Sequence, residues 1–63
     1  MSIGEKIRKA REERNMKQET LAAAVSVSVP MICRIEKGAK LPSLSLLISI
    51  ARALECSAGQ LLD

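Results

Sequence analysis

An all-α fold of five short helices is what this 63-residue sequence predicts, and three features carry the prediction. Apolar residues recur at three- and four-residue spacing in short runs, the period of one helix face. Serines at 2, 28, 43 and 57 stand just ahead of helical runs, where a hydroxyl can accept from first-turn N–H groups. The chain is 48% apolar without one aromatic residue, so its core must be built from Ile, Leu, Val, Ala and Met. A single domain over residues 1–63 is expected, near the lower size limit for a core without disulfide or metal.

The first helix opens at Ser2, with Glu5 at the third helical position to complete a capping box. Ile3, Ile7, Ala10 and Arg11 follow one face, and Met16 closes it beyond the end. Arg11 is a cation on or beside the buried stripe, and Asn15 suits a left-handed helix terminator. The second helix starts near Gln18, with Glu19 at the positive end of its dipole and Lys17 at a cap position that wants an acceptor. Leu21, Ala22 and Val25 share one face of it. The turn is Ser26-Val27-Ser28.

Ser28 caps the third helix. Pro30 fits its first turn, where a missing N–H costs little, although proline disfavours helical dihedrals at Val29. Ile32 and Ile35 face inward and Met31 partly so; Ser28, Val29, Pro30, Cys33, Arg34 and Lys37 face outward, and Gly38 ends the helix. Residues 18–37 therefore read as a helix-turn-helix, whose second helix is built to enter a DNA major groove. Ser43 caps a fourth helix from Leu44 to about Glu55, apolar on two sides: Leu44, Leu47, Ile48, Ala51 and Leu54 on one, Leu46, Ile50 and Ala53 on the other. That is more apolar surface than so small a core can take, so an interface is favoured over a purely central core helix. Leu46 and Ile50, with Leu61 and Leu62 of a last helix capped by Ser57, are assigned to a homodimer interface, the last two folding back onto either the core or a partner. Cys56 reads as a core residue.

Composition excludes several classes. With no His and two separated Cys, neither a zinc site nor His-based acid–base chemistry can be assembled, and no cofactor or small-molecule ligand is indicated. The apolar runs are too short for a bilayer and no charged n-region precedes an h-region, so a cytoplasmic protein with reduced thiols and no membrane partner is expected. Charge is uneven. Residues 1–40 hold nine cations against five acids, net +4, while residues 41–63 hold one against two, net −1. A basic half beside a near-neutral apolar half suggests one side facing a polyanion and one side for packing.

With IRKAREERNMKQETLA, VSVSVPMICRIEKG, the LPSL at Leu41–Leu44 and IARALECS followed by QLL, the chain from Ile3 to Leu62 resembles the helix-turn-helix family of lambdoid phage repressors and Cro proteins. That family includes restriction–modification controller proteins and many small bacterial regulators. The resemblance implies a five-helix, lambda-repressor-like DNA-binding domain acting as a homodimer on an inverted repeat of double-stranded DNA, with half-sites roughly 34 Å apart. It also implies an ion pair between Arg11 and Glu36, and a phosphate contact by Gln18. Ser28, Val29, Pro30 and Arg34 fall at positions facing bases or backbone, and Lys37, Lys40 and Ser43 around a phosphate-binding loop. The chain departs from the family at Ser26, where glycine is common, at Lys17, where Ser or Thr caps the helix, and at Val29 and Pro30, which replace polar or charged side chains on the reading face.

The expected chemistry is phosphate neutralisation by Lys17, Lys37 and Lys40, helped by N–H groups at the starts of helices two and three. Arg34 is the one side chain of the third helix able to pair bidentately with guanine, while Val29 and Pro30 suit a thymine methyl. Cys33 raises the idea of a redox switch, but a small filler is the stronger reading. The leading expectation is a sequence-specific transcription regulator, not an enzyme. Against it stands a protein-interaction module on the same scaffold, an antitoxin or adaptor, favoured by the apolar Val29 and Pro30.

Overall fold

A computed structural model of the chain describes residues 1–62. They form α1 (Ile3–Glu13), α2 (Gln18–Ala24), α3 (Val29–Glu36), α4 (Leu44–Ala53) and α5 (Ala58–Leu62), with no strand among the described residues. The order matches the five predicted helices.

Local chemistry explains the starts. Ser2 Oγ accepts from the Glu5 N–H, and the Glu5 carboxylate accepts from the Ser2 N–H at 3.0 Å, the expected capping box. The same reciprocal pair links Ser57 and Gln60 at the start of α5. Ser28 and Ser43 cap α3 and α4, accepting from Met31 N and Leu46 N. Only α2 begins without a side-chain cap, because Lys17 has nothing to accept with. Proline does not delay α3, which begins at Val29 with Pro30 in its first turn.

The ends of α1 to α4 share one device. Asn15, Ser26, Gly38 and Glu55 take positive φ (54°, 58°, 80° and 55°). The residue after each sends its N–H back to the last turn: Met16 to Arg11 O, Val27 to Ala22 O, Ala39 to Arg34 O and Cys56 to Ala51 O, at 2.9–3.1 Å. This is the Schellman closure, which favours glycine at the left-handed residue. Here glycine fills it once. Asn15 and Gly38 were expected there, Ser26 carries the strain its family position implied, and Glu55 was not anticipated.

Ile7, Leu21, Ala22, Ile32, Ile35, Leu47, Ile50, Ala51, Leu54 and Leu61 make the core. Two interface assignments are thereby corrected. Ile50 is fully buried and Leu61 nearly so within their own subunit, so neither can meet a partner. Leu46 packs against the core, half-buried, and Leu62 alone of the four is exposed. The reason is the register of α4: Leu47, Ile50, Ala51 and Leu54 point inward, drawn from both expected stripes, while Leu44 and Ile48, one turn apart, face out. The helix also ends two residues earlier than expected, at Ala53, where Glu55 turns left-handed.

Gly4 was not singled out from the sequence, yet it fixes how α1 meets α3. It is buried, and a Cβ there would overlap the Ile35 carbonyl oxygen and lie 2.8 Å from that of Glu36. The backbones of the two helices touch at this point, and only glycine permits it.

Candidate nucleic-acid interface

Helix α3 is held by its inner face and leaves the other open. Ile32 and Ile35 enter the core, and Glu36 is buried beside them. Outward, Val29, Pro30, Arg34 and Lys37 are exposed, with Val29 retaining 39% of its surface. Pro30, Arg34 and Lys37 fall at i, i+4 and i+7, one stripe along the helix. Cys33 departs from expectation: it is half-buried. Met31 is half-buried, as its inward lean implied.

The stripe is fixed by a polar cluster behind it. Arg11 Nε donates to Glu36 Oε2 at 2.7 Å and Nη2 to Oε1 at 3.1 Å, a two-pronged pair, while Nη1 donates to the Met16 carbonyl at 2.7 Å. Its side chain keeps 10% of its surface exposed and that of Glu36 3%. The hydrogen bond with Glu36 raises the guanidinium's pKa against the opposing effect of burial. The pair therefore stays charged on the arginine side throughout the neutral range. Gln18 Nε2 donates to Glu36 Oε1 at 3.0 Å, leaving its second amide N–H free. One glutamate thus ties together α1, α2 and α3.

In front of this cluster lies a cleft of about 240 Å³ lined by Arg8, Arg11, Gln18, Cys33, Glu36 and Lys37. It brings together Gln18, Cys33 and Lys37 of the sequence-derived set. Arg8 was missed; it donates to Glu12 at 3.3 Å across one turn, and four-residue spacing is the only signal that could have drawn attention to it. Lys17 is exposed at the uncapped start of α2. Lys40 and Ser43 are exposed on the α3–α4 connection, away from the cleft lining, and the Ser43 hydroxyl is engaged as the α4 cap. The Ser28 hydroxyl is likewise engaged, by Met31 N.

Two crossed helices joined by a four-residue turn, with the second exposed along a stripe ending in cations, define a helix-turn-helix domain. The chain belongs to the helix-turn-helix family: the family model HTH_3, described as helix-turn-helix, matches residues 7–61. It is 33% identical over 63 residues to the HTH-type transcriptional regulator DdrOP3 of Deinococcus deserti, covering all of this chain and 49% of that protein. It thus spans about half the length of that curated relative. Its fold superimposes on the P22 c2 repressor, solved with a synthetic operator, at a TM-score of 0.94 and 32% identity, covering 100% of this chain and 96% of the other. The restriction–modification controller protein C.AhdI of Aeromonas hydrophila gives 0.91 and 27%, over 95% and 91%. Fold and family are those of DNA-binding transcription regulators, as the sequence resemblance implied. No helix among the described residues is long and apolar enough to cross a membrane.

Proposed function

We propose that this chain is the DNA-binding unit of a transcription regulator that engages an inverted-repeat operator as a homodimer, in the cytoplasm where that DNA lies. The observation that carries the reading is the exposed Pro30–Arg34–Lys37 stripe on a helix whose inner side is fixed to α1 and α2 through Glu36. A reading helix must hold its side chains still, because bidentate pairing tolerates little displacement. Arg34 reads a guanine; Lys17, Lys37 and Lys40 neutralise phosphates, and Arg8 and the spare N–H of Gln18 add donors at the cleft. Dimerisation falls to the apolar side chains left exposed late in the chain, Leu41 (73%), Leu44 (67%), Ile48 and Leu62, with a second copy as occupant. Residues 41–62 carry only Arg52 and Glu55 as charges, so two copies can meet there without repulsion.

Arg34→Ala should relax a guanine preference by roughly 1–3 kcal/mol in a selection from randomised duplexes. Unchanged selectivity would refute the role of Arg34. The exposed Leu41 and Leu44 also suit a protein-interaction module, and salt separates the two readings. Binding through phosphates weakens steeply as salt rises, whereas apolar docking does not.

A further inference from the structure

We propose that the first turn of α3 reads the C5-methyl group of a pyrimidine, so that thymine and 5-methylcytosine are equivalent to this protein while unmethylated cytosine is not. The inference rests on the DNA-reading role of α3 and adds the kind of base that its first turn selects.

The argument begins with what that turn lacks. Ser28 Oγ is held at 3.2 Å from Met31 N over the helix end, Met31 is half-buried, and the side chains that face outward are Val29 and Pro30. Neither can donate or accept a hydrogen bond, and Cys33, one turn beyond Val29, adds a small and weakly polar thiol. In the major groove every base edge presents a donor or an acceptor, and the only apolar group is a pyrimidine C5-methyl. Polar edges facing this turn would lose water without compensation, whereas a methyl gains by being covered. Selection at this position therefore follows the methyl and ignores the hydrogen-bond pattern beside it.

Arg34 stands four residues along the same stripe as Pro30, about 6 Å up the axis. That is about two base steps of ~3.4 Å. The methyl read by the first turn and the guanine read by Arg34 thus lie within one short motif. A site carrying cytosine at the methyl position would gain affinity when that cytosine is methylated, which makes binding responsive to DNA modification.

The test uses one duplex recovered by selection, with thymine, uracil, cytosine and 5-methylcytosine placed in turn at the position facing the first turn, each opposite its matching purine. The expected order of affinity is thymine equal to 5-methylcytosine, both about fourfold above uracil and cytosine per half-site. A Val29→Ser, Pro30→Ser variant, verified as helical, should bind all four alike. Arg34→Ala should weaken all four and keep their order. Thymine equal to uracil, with both above the two cytosines, would mean the polar edge is read and would overturn the proposal, as would indifference to all four bases. Failure to bind any duplex is a different result, overturning the DNA-reading role itself.

Discussion

Helices α3 and α4 start alike and end as different objects. Each is short, apolar and capped by a serine hydroxyl, yet they are held in unlike ways. Helix α3 is pinned by specific contacts: the buried pair of Glu36 with Arg11, the Gln18 amide, and backbone contact at Gly4. Helix α4 is held by Leu47, Ile50, Ala51 and Leu54 in the core, and its outward Leu44 and Ile48 stay bare. Apolar packing tolerates small shifts, while a buried charge or a backbone contact permits one placement. The helix proposed to present side chains to base edges is the one given the stricter fixings.

That contrast can be broken most severely at Glu36. Glu36→Ala leaves the Arg11 charge buried without its partner and should cost about 3–5 kcal/mol in chemical denaturation. Arg11→Met with Glu36→Leu, which removes both charges, should recover most of that stability while DNA affinity stays low, since Gln18 has lost its anchor. A double variant as unstable as the single would show that the pair does more than offset its own burial. Gly4→Ala comes next, at about 1–3 kcal/mol, toward the upper end because the obstacle is backbone. It should weaken DNA binding further by tilting α3. In α4, Ile50→Val should cost only about 0.5–1.5 kcal/mol and leave DNA affinity unchanged once the folded fraction is allowed for. A loss of affinity there would erase the distinction between the two helices. Smallest of all, Ser26→Gly relieves a positive φ of 58° in the turn before α3 and should raise stability by about 0.5–1 kcal/mol.

What could be read from the sequence follows the same division. Local chemistry was legible: Ser2 with Glu5, Ser28, Ser43 and Ser57 mark where helices start, because capping acts within three residues. Asn15 and Gly38 marked ends for the same reason. Glu55 did not, since nothing in a glutamate favours left-handed backbone; the closing bond from Cys56 N–H to Ala51 O and the Arg14 guanidinium 3.4 Å from its carbonyl accompany it there. The inward face of α4 was misjudged because a helix apolar on most sides has no polar stripe to fix its phase. Burial of Ile50 follows from that ambiguity, while Leu61 is buried because α5 packs back onto α1 and α4. Gly4 offered a signal that passed unused: a glycine inside an amphipathic helix costs about 1 kcal/mol relative to alanine, and calls for a close approach. At the candidate site, the outward side chains of α3 were visible as periodicity, and Arg11 with Glu36 through family resemblance. The hold of Gln18 on Glu36 and the partial burial of Cys33 depend on how α2 crosses α3, which no local pattern encodes.

The central claim is that α3 meets DNA while the exposed side of α4 does not. An NMR titration of the labelled protein with its selected duplex tests it most directly. In a sample already dimeric before DNA is added, amide shifts should change most at Gln18, Val29, Arg34, Lys37 and Lys40, and change little at Ser45, Ile48 and Arg52. Shifts concentrated on Leu44 to Arg52, with α3 silent, would contradict it.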